Sequence, residues 1–297
     1  MTARHILAID FGGTKIAVAR AAVGVSDGRP DSTLRLRTLG GAGALQAVRR
    51  TFDAARELLA APAAVGVSTF GVLRGGRVRL APNVPGWDGM ALPELLRAEF
   101  GDAPVAIDND VNAGAAAEVR WGALRGVDVG LYVNLGTGLA AALVAGGRVL
   151  TGAHGAAGEI GYLRDSAGDG YFADGRAPLE EAVSGSALAR RGSALLGRPV
   201  TAAELFALSA EPGVADLLDE VVDTLARTIA NLCVTLDPER VVLGGGMMGA
   251  AAYVMPRVAT ALRRTVPFPP ELSAARFVDD APLLGAVALA MAAAGDG

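Results

Sequence analysis

The sequence predicts an α/β fold made of two similar α/β domains with a central cleft. Short apolar runs of strand length alternate with segments whose apolar residues recur at helical spacing. A unit of strand, Gly-rich turn and strand also occurs twice, near residue 10 and near residue 136. We interpret this repetition as a structural duplication. The alternative is one irregular α/β sheet whose glycines are unrelated.

In the first half, two apolar runs, residues 5–10 and 16–22, flank a Gly-rich turn and are predicted strands. Residues 32–38 alternate Leu with Arg, which is typical of an edge or half-exposed strand. Apolar periodicity and short buried runs predict the following elements in order: helix 45–59, strand 65–67, helix 92–100, strand 105–107 and helix 111–122.

The second half begins with strands at 130–134 and 139–145, then a turn at Gly146-Gly147 into residues 148–150. The later predictions are an irregular stretch at 152–178, a capping box from Thr201 to Glu204, a helix over 214–236 stopped by Asp237-Pro238, a strand at 241–243, and a helix at 283–294. We expect a small domain at 1–115, completed by the C-terminal helix 283–297, and a large domain at 116–282.

Composition excludes several classes of function. The 297 residues are 52% hydrophobic and 20% charged, with a net charge of −4 and no basic stripe, which argues against a nucleic-acid partner. No run is apolar enough to span a bilayer, and the start leads directly into a strand, so we expect a cytoplasmic protein without a membrane partner. The single cysteine, Cys233, permits neither an intramolecular disulfide nor a thiolate zinc cage.

The turn from Asp10 to Lys15 has the chemistry of a phosphate site. Gly12 and Gly13 leave room for a phosphate and can adopt backbone angles that point N–H groups inward. Thr14 adds a hydroxyl, and Asp10 a carboxylate suited to Mg²⁺ or its water shell. Lys15 is the only lysine among 27 basic residues. The spacing fits neither a Walker A loop nor a Rossmann fingerprint, and the alternative is an ordinary hairpin.

Two further Gly clusters fit the same interpretation. The turn at 136–138 is a second Gly-rich turn between two predicted strands. The cluster at 244–246 follows a strand, where backbone could lie under a nucleobase or ribose. The predicted nucleotide-binding residues are Asp10, Gly12, Gly13, Thr14, Lys15, Gly136, Thr137, Gly138, Gly244, Gly245 and Gly246.

The segment from Asp108 to Asn112 lies between a buried strand and a helix, a place that holds a carboxylate rigidly. A kinase needs such a carboxylate to accept the proton of the acceptor hydroxyl. The competing interpretation is helix capping by Asp or Asn, and both can hold at once. Glu159, in a Gly-rich loop, is a candidate ligand for sugar hydroxyls or else a solvated loop residue.

These segments, in this order, resemble the ROK family of sugar kinases and regulators, closest in layout to bacterial glucokinase. The resemblance covers essentially the whole chain and implies an actin-like (ribonuclease H-like) fold, ATP with Mg²⁺ held through water by Asp10, and a hexose substrate. It implies Asp110 as the catalytic base. The residues that it places on the sugar side are Gly71, Asn83, Asn109, Asp110, Glu159, Tyr162 and Glu180.

The sequence departs from the family at its structural zinc site. The family's histidine position is Tyr162, and its three cysteine positions are Tyr171, Ala173 and Pro178. None of these side chains replaces a thiolate or imidazole ligand, so we predict no zinc. The same change alters the pocket near the sugar, and the loop that carries Glu180 no longer has a metal to hold it.

We therefore expect an ATP-dependent hexose kinase acting on the primary 6-hydroxyl, glucokinase-like, with a small-molecule sugar as partner and a homodimer as its state. The alternatives are an unusual acceptor, such as an amino sugar (kanosamine or an N-acetyl sugar) or a biosynthetic cyclitol, and polyphosphate as donor. A sugar-sensing regulator is disfavoured, because the first strand begins by residue 5 and leaves no room for a helix-turn-helix module.

Overall fold

The structure is a computed structural model that describes residues 4–38, 43–166 and 168–295. The chain divides into two compact units. Unit 1 comprises Met1–Arg125, Thr151–Ala157 and Asp279–Gly297, and unit 2 comprises Gly126–Leu150 and Gly158–Val278. Within the described ranges, no helix combines the length and apolarity needed to cross a membrane.

Unit 1 is a five-stranded sheet with helices and a small hairpin. Its sheet has the order β3-β2-β1-β4-β7. The strands are β1 (His5–Phe11), β2 (Lys15–Ala22), β3 (Ser32–Arg37), β4 (Val65–Thr69) and β7 (Val105–Asn109), with the hairpin β5 (Val72–Arg74) and β6 (Arg77–Arg79). The helices are α1 (Ala44–Leu58), α2 (Leu92–Phe100), α3 (Asp110–Trp121) and α9 (Ala281–Ala293).

Unit 2 has a second five-stranded sheet, of order β10-β9-β8-β11-β12. Its strands are β8 (Gly130–Leu135), β9 (Leu139–Ala145), β10 (Arg148–Leu150), β11 (Arg240–Gly244) and β12 (Glu271–Ala274). Its helices are α4 (Pro178–Val183), α5 (Gly185–Leu196), α6 (Ala202–Ala207), α7 (Pro212–Leu236) and α8 (Ala251–Thr265), with 3₁₀ turns at Ile160–Tyr162, Phe172–Asp174 and Gly246–Ala250.

The two sheets have the same topology. In the first sheet, β1, β2 and β3 pair antiparallel, and β4 and β7 add in parallel on the other side of β1. In the second sheet, β8, β9 and β10 pair antiparallel, and β11 and β12 add in parallel on the other side of β8. The register also corresponds: Asp10 of β1 lies beside Ser68 of β4, and Asn134 of β8 lies beside Gly244 of β11. The predicted duplication of the strand, turn and strand unit is therefore confirmed.

Local signals in the sequence account for several element ends. Gly146 and Gly147 have φ of 62° and 66°, as a two-residue hairpin turn between β9 and β10 requires. Thr201 and Glu204 form the predicted capping box of α6. Helix α7 ends where Asp237 adopts a left-handed conformation with φ 52°.

Helix α9 packs closely in unit 1 because small residues line its contacts. A Cβ on Gly66 of β4 would lie 1.9 Å from the Ala286 carbonyl oxygen, and a Cβ on Gly285 would lie 2.0 Å from the Ala113 carbonyl oxygen. The predicted division after residue 115 is corrected here, since that position lies inside α3, and α3 stays with α9 in unit 1. Residues 151–157 also belong to unit 1, although the sequence placed them in the second domain.

The sequence analysis did not predict the shortest strands, nor helices α4 and α5. The β5–β6 hairpin has three residues in each strand, and β12 has four. Segments of that length carry too little periodicity to be distinguished from turns. Strands β4 and β7 also run two residues further than predicted, so Asn109 ends a strand and Asp110 begins a helix.

Candidate active site

Polar side chains line the carboxyl edge of the parallel strands in unit 1. Asp10, Ser68 and Asp108 stand side by side in the register of β1, β4 and β7. Because neighbouring residues in register project to the same face of a sheet, the three side chains form one row. The Ser68 hydroxyl donates to Oδ1 of Asp10 at 3.0 Å. The ends of these three strands therefore bring two carboxylates and one hydroxyl into one row.

Asp110 opens helix α3 directly after this row. Its Oδ1 accepts a hydrogen bond from the Val111 amide at 3.0 Å. Desolvation raises the pKa of the Asp110 carboxyl to about 6, although backbone N–H groups lower it in part. A carboxyl with a pKa near 6 is ionised at neutral pH yet remains a competent proton acceptor.

Asn109 caps helix α3 and leaves Asp110 outside the capping role. Oδ1 of Asn109 accepts from the Asn112 amide at 2.7 Å. Asp108 instead accepts from the Asn109 amide at 2.8 Å and from Nδ2 of Asn112 at 2.9 Å. Desolvation raises the pKa of Asp108, and these two hydrogen bonds lower it in part. The segment thus combines helix capping with a carboxylate, Asp110, that the cap does not use.

Asp10 is the most strongly perturbed carboxyl of the row. Desolvation raises the pKa of Asp10 to about 7, against the hydrogen bond from Ser68 and the charge of Lys15, which lower it. The charges of Asp110 and Asp280 raise it further. The net effect of burial and of the neighbouring charges favours the protonated, uncharged form of Asp10. A divalent cation would reverse this balance.

The first Gly turn is a tight hairpin held by Thr38. The Gly12 amide donates to the Lys15 carbonyl at 3.1 Å, and the Thr38 hydroxyl donates to the Gly12 carbonyl at 2.6 Å. A Cβ on Gly12 would lie 2.6 Å from the Lys15 carbonyl oxygen, whereas Gly13 has open space around it. Neither glycine has positive φ, so the expectation of unusual backbone angles is corrected: Gly12 is required by close approach of backbone.

Lys15 and Asp280 are close to each other at this turn. Nζ of Lys15 lies 3.9 Å from Oδ1 of Asp280, and 65% of the Lys15 side chain is exposed. Arg35 also pairs with Asp280. The exposed ammonium can therefore exchange Asp280 for a phosphate without leaving a buried charge unpaired. Asp280 was missed by the sequence because it precedes the last helix, far along the chain from Lys15.

The second Gly turn is held from two sides within unit 2. The amide of Gly185, at the start of α5, donates to the Gly136 carbonyl at 2.9 Å, and the Ser186 hydroxyl donates to the Thr137 carbonyl at 2.8 Å. Glu180 of α4 accepts from the Leu139 amide at 2.9 Å. Glu180, a predicted sugar ligand, therefore also fixes the end of a predicted phosphate turn.

Glu159, Tyr162 and Glu180 lie near one another in unit 2. Desolvation raises the pKa of Tyr162, followed by the charges of Glu159 and Glu180. The Tyr162 ring meets Phe172 edge-on at 5.2 Å. Within the described residues, no group of three or more His, Cys, Asp or Glu side chains is placed to hold a metal. The predicted absence of zinc remains a prediction for metal analysis.

Gly71 and Asn83 lie in the turn-rich part of unit 1. Gly71 has φ 77°, and a Cβ there would lie 2.5 Å from the Arg79 carbonyl oxygen. Asn83 is exposed in the loop before Trp87. Trp87 is buried, and its indole N–H donates to the Thr69 hydroxyl at 3.0 Å, which anchors the loop.

The third Gly cluster borders a cavity of about 900 Å³ in unit 2. Gly136, Thr137 and Gly246 line it together with residues that the sequence analysis did not identify. The main additions are Ser186, Phe206, Met247, Tyr253 and Arg257. Gly245 has φ 88°, and a Cβ there would lie 2.6 Å from the Leu135 carbonyl oxygen. The cavity therefore connects the second and third Gly clusters, as a site for one extended ligand requires.

Comparison with known proteins identifies the class. The duplicated sheets belong to the actin-like ATPase fold, which solved structures share over nearly the whole chain. One is a ROK hexokinase from Thermus thermophilus, with 31% identity, a TM-score of 0.82 and coverage of 99% of this chain and 100% of that one. Another is a ROK family glucokinase from Streptomyces griseus in complex with glucose and AMPPNP, with 27% identity, a TM-score of 0.76 and coverage of 96% and 99%.

The family follows from sequence as well. The family described as "ROK family" matches residues 6–293. Kanosamine kinase of Amycolatopsis mediterranei is 34% identical over 252 residues, covering 81% of this chain and 82% of that protein. This chain belongs to the ROK family, and the resemblance inferred from its motifs is confirmed.

Proposed function

We propose that this chain is an ATP-dependent kinase that transfers the γ-phosphoryl group to the primary 6-hydroxyl of a hexose, with Asp110 as the base. The reaction class is that of an ATP-dependent sugar kinase, a phosphotransferase with an alcohol acceptor. The observation that carries the assignment is the position of Asp110. It is a desolvated carboxylate at a helix start, close enough to Asp10 for its charge to raise the pKa of Asp10.

The chemistry assigned to Asp110 is proton acceptance. As the acceptor oxygen forms its bond to the γ-phosphorus, the bond from that phosphorus to the β–γ bridging oxygen of ATP breaks, and ADP leaves. The hydroxyl proton passes to the Asp110 carboxylate. Its pKa of about 6 keeps Asp110 ionised at neutral pH, so it is ready to accept.

Asp10 is the residue suited to hold Mg²⁺, through water. The carboxylate row at the strand ends is the type of oxygen ligand that Mg²⁺ prefers, and the raised pKa of Asp10 indicates a site that gains from a cation. When bound, Mg²⁺ neutralises charge on the β- and γ-phosphates. Ser68 holds the Asp10 carboxylate in place through its hydroxyl.

The donor is assigned as ATP. Gly12, Gly13, Thr14 and Lys15 of unit 1 form the first phosphate turn. In unit 2 the phosphate turn is Gly136, Thr137 and Gly138, and the Gly244–Gly246 cluster borders the cavity for the nucleoside. A cavity of about 900 Å³ with aromatic lining suits a nucleoside better than a bare polyphosphate chain.

The sugar side is assigned to residues described above in each unit. In unit 1, Asn109 keeps its Nδ2 group for a ligand, because its Oδ1 caps α3; Gly71 and Asn83 belong to the neighbouring loops. In unit 2, Glu159 is the main proposed ligand and Tyr162 the residue that sets selectivity. Glu180 contributes a carboxylate that also holds Leu139.

An amino sugar is the second candidate acceptor, and one observation favours it. The kanosamine kinase relative acts on an amino sugar by its name. In this chain Glu159 and Glu180 lie close enough to Tyr162 for both charges to raise its pKa, so an ammonium group bound near Tyr162 would meet two negative charges. We further propose that the protein is free of zinc and forms a homodimer.

The experiment is a coupled assay of ADP release over hexoses, amino sugars and cyclitols, with 6-deoxyglucose as the matched acceptor without a 6-hydroxyl. We expect glucose or an amino sugar to turn over and 6-deoxyglucose to give only the water background. ADP release that is equal with glucose and 6-deoxyglucose contradicts the 6-hydroxyl assignment. No release with any acceptor contradicts the function itself.

A further inference from the structure

Asp219 of α7 is about half exposed and holds two residues that line the unit 2 cavity. The Tyr253 hydroxyl donates to Oδ1 of Asp219 at 2.6 Å. Nε of Arg257 donates to the same oxygen at 3.1 Å. Both Tyr253 and Arg257 line the cavity, whereas Asp219 does not. Asp219 is therefore placed to act on a ligand only through these two side chains.

Tyr253 and Arg257 form a stacked pair. The Arg257 guanidinium carbon lies 3.6 Å from the centre of the Tyr253 ring, and the guanidinium also donates to the Tyr253 carbonyl at 3.1 Å. Phe206 meets the Tyr253 ring at 5.6 Å with an angle of 63°. Planar guanidinium and aromatic groups are surfaces on which a nucleobase stacks. The cavity lining thus contains three flat groups in contact, with Tyr253 between Phe206 and Arg257.

The lining of the cavity carries the positive charge of Arg257, which pairs with the carboxylate of Asp219. Arg257 is the one charged residue among those that line the cavity in the described part of the chain. Hydrogen bonding from Tyr253 and the charge of Arg257 lower the pKa of Asp219, so it is ionised at neutral pH. Its negative charge offsets that of Arg257. A cavity lined in this way suits an uncharged base more than a further phosphate.

We propose that Asp219 is a positioning residue for the phosphoryl donor. It fixes Tyr253 and Arg257 as a platform for the nucleobase and cancels the Arg257 charge, so that the cavity selects ATP over polyphosphate. The inference rests on the proposed function, because it assigns the cavity to the donor of that reaction. Without Asp219, Arg257 becomes a free cation able to bind a phosphate chain.

The test compares Asp219→Ala with Glu220→Ala. Glu220 is the next residue of the same helix and also pairs with an arginine, Arg191, at 2.6 Å, but neither of these residues lines the cavity. The dissociation constant of ADP is measured by calorimetry. With ATP as donor, KM and kcat are measured by ADP release. With polyphosphate as donor, they are measured by the formation of sugar phosphate. We expect Asp219→Ala to weaken ADP about two- to fivefold and to raise the KM of ATP equally, with kcat retained. Activity with polyphosphate, relative to ATP, should rise.

A second variant separates positioning from folding. Tyr253→Phe keeps the ring and removes only the hydroxyl that reaches Asp219, so we expect a smaller weakening of ADP in the same direction. ADP binding by Asp219→Ala that equals that of Glu220→Ala overturns the proposal, as does a wild-type enzyme that uses polyphosphate as well as ATP. A wild type that binds ADP but phosphorylates no sugar contradicts the proposed function instead, while the comparison of ADP dissociation constants still tests Asp219.

Discussion

Replacing Asp110 by Asn should remove activity and at the same time stabilise the fold above pH 6. Asn keeps the shape of the side chain and an oxygen that can accept from the Val111 amide, but it cannot take a proton from the sugar. We expect kcat to fall by roughly 10²–10⁴-fold, the usual range for general acid–base catalysis.

The gain in stability follows from the raised pKa. The folded Asp110 has a pKa of about 6 against an ordinary 3.8, so the native state holds this proton more tightly than the unfolded chain does. Stability is therefore lost as the pH rises from about 4 to 6, and the full penalty is present above pH 6. At about 1.4 kcal/mol for each pH unit, ionised Asp110 costs up to about 3 kcal/mol. Asn avoids that cost.

The assay is urea or thermal unfolding of both proteins at pH 8 and pH 5. We expect the variant to gain up to roughly 6 °C in Tm at pH 8 and about half of that at pH 5. Asp102→Asn, at an exposed position before β7, is the control and should change the free energy of unfolding by less than about 0.5 kcal/mol. Near-normal turnover, or a stability gain that is absent at pH 8, would refute the reasoning.

Four further outcomes are expected. The ratio kcat/KM should decline below about pH 6 as Asp110 protonates, and a flat profile from pH 5 to 8 contradicts its role as base. Gly12→Ala should lower Tm, because the new Cβ meets the Lys15 carbonyl, whereas Gly13→Ala should not; equal Tm values contradict the geometry of the turn. Glu180→Ala should raise the KM of ATP as well as that of the sugar, while Glu180→Gln, whose amide oxygen can still accept from the backbone, should keep the KM of ATP. Metal analysis of purified protein should find no stoichiometric zinc, and one zinc per chain disproves that prediction.

Much of unit 1 could be predicted because its signals are local. Asp10, Gly12 and Lys15 are neighbours in sequence, and one apolar run on each side fixes the hairpin. The Asn109 cap follows from residue type and from the strand that precedes it. What sequence alone could not supply is the row formed by Asp10, Ser68 and Asp108, since that row depends on the register of three strands separated by loops of different length.

The unit 2 cavity shows the opposite case. Phe206, Tyr253 and Arg257 come from α6 and α8, which are separated by the whole of α7. Each is an ordinary amphipathic-helix residue in its own segment, and only packing brings the three side chains together. The dual contact of Glu180 was missed for the same reason, because its partner Leu139 is 41 residues away.

The matching topology of the two sheets allows a position-by-position comparison of their edges. Asp10 and Ser68 in the first sheet correspond to Asn134 and Gly244 in the second. The first sheet therefore presents a carboxylate and a hydroxyl at these strand ends, while the second presents an amide and bare backbone. A polyanion meets electrostatic repulsion from Asp10 at the first edge unless a cation is present, whereas the carboxylate beside the second turn, Glu180, already accepts a hydrogen bond from the Leu139 amide. The two sheets of this fold are thus alike in topology and different in the charge that their strand ends carry.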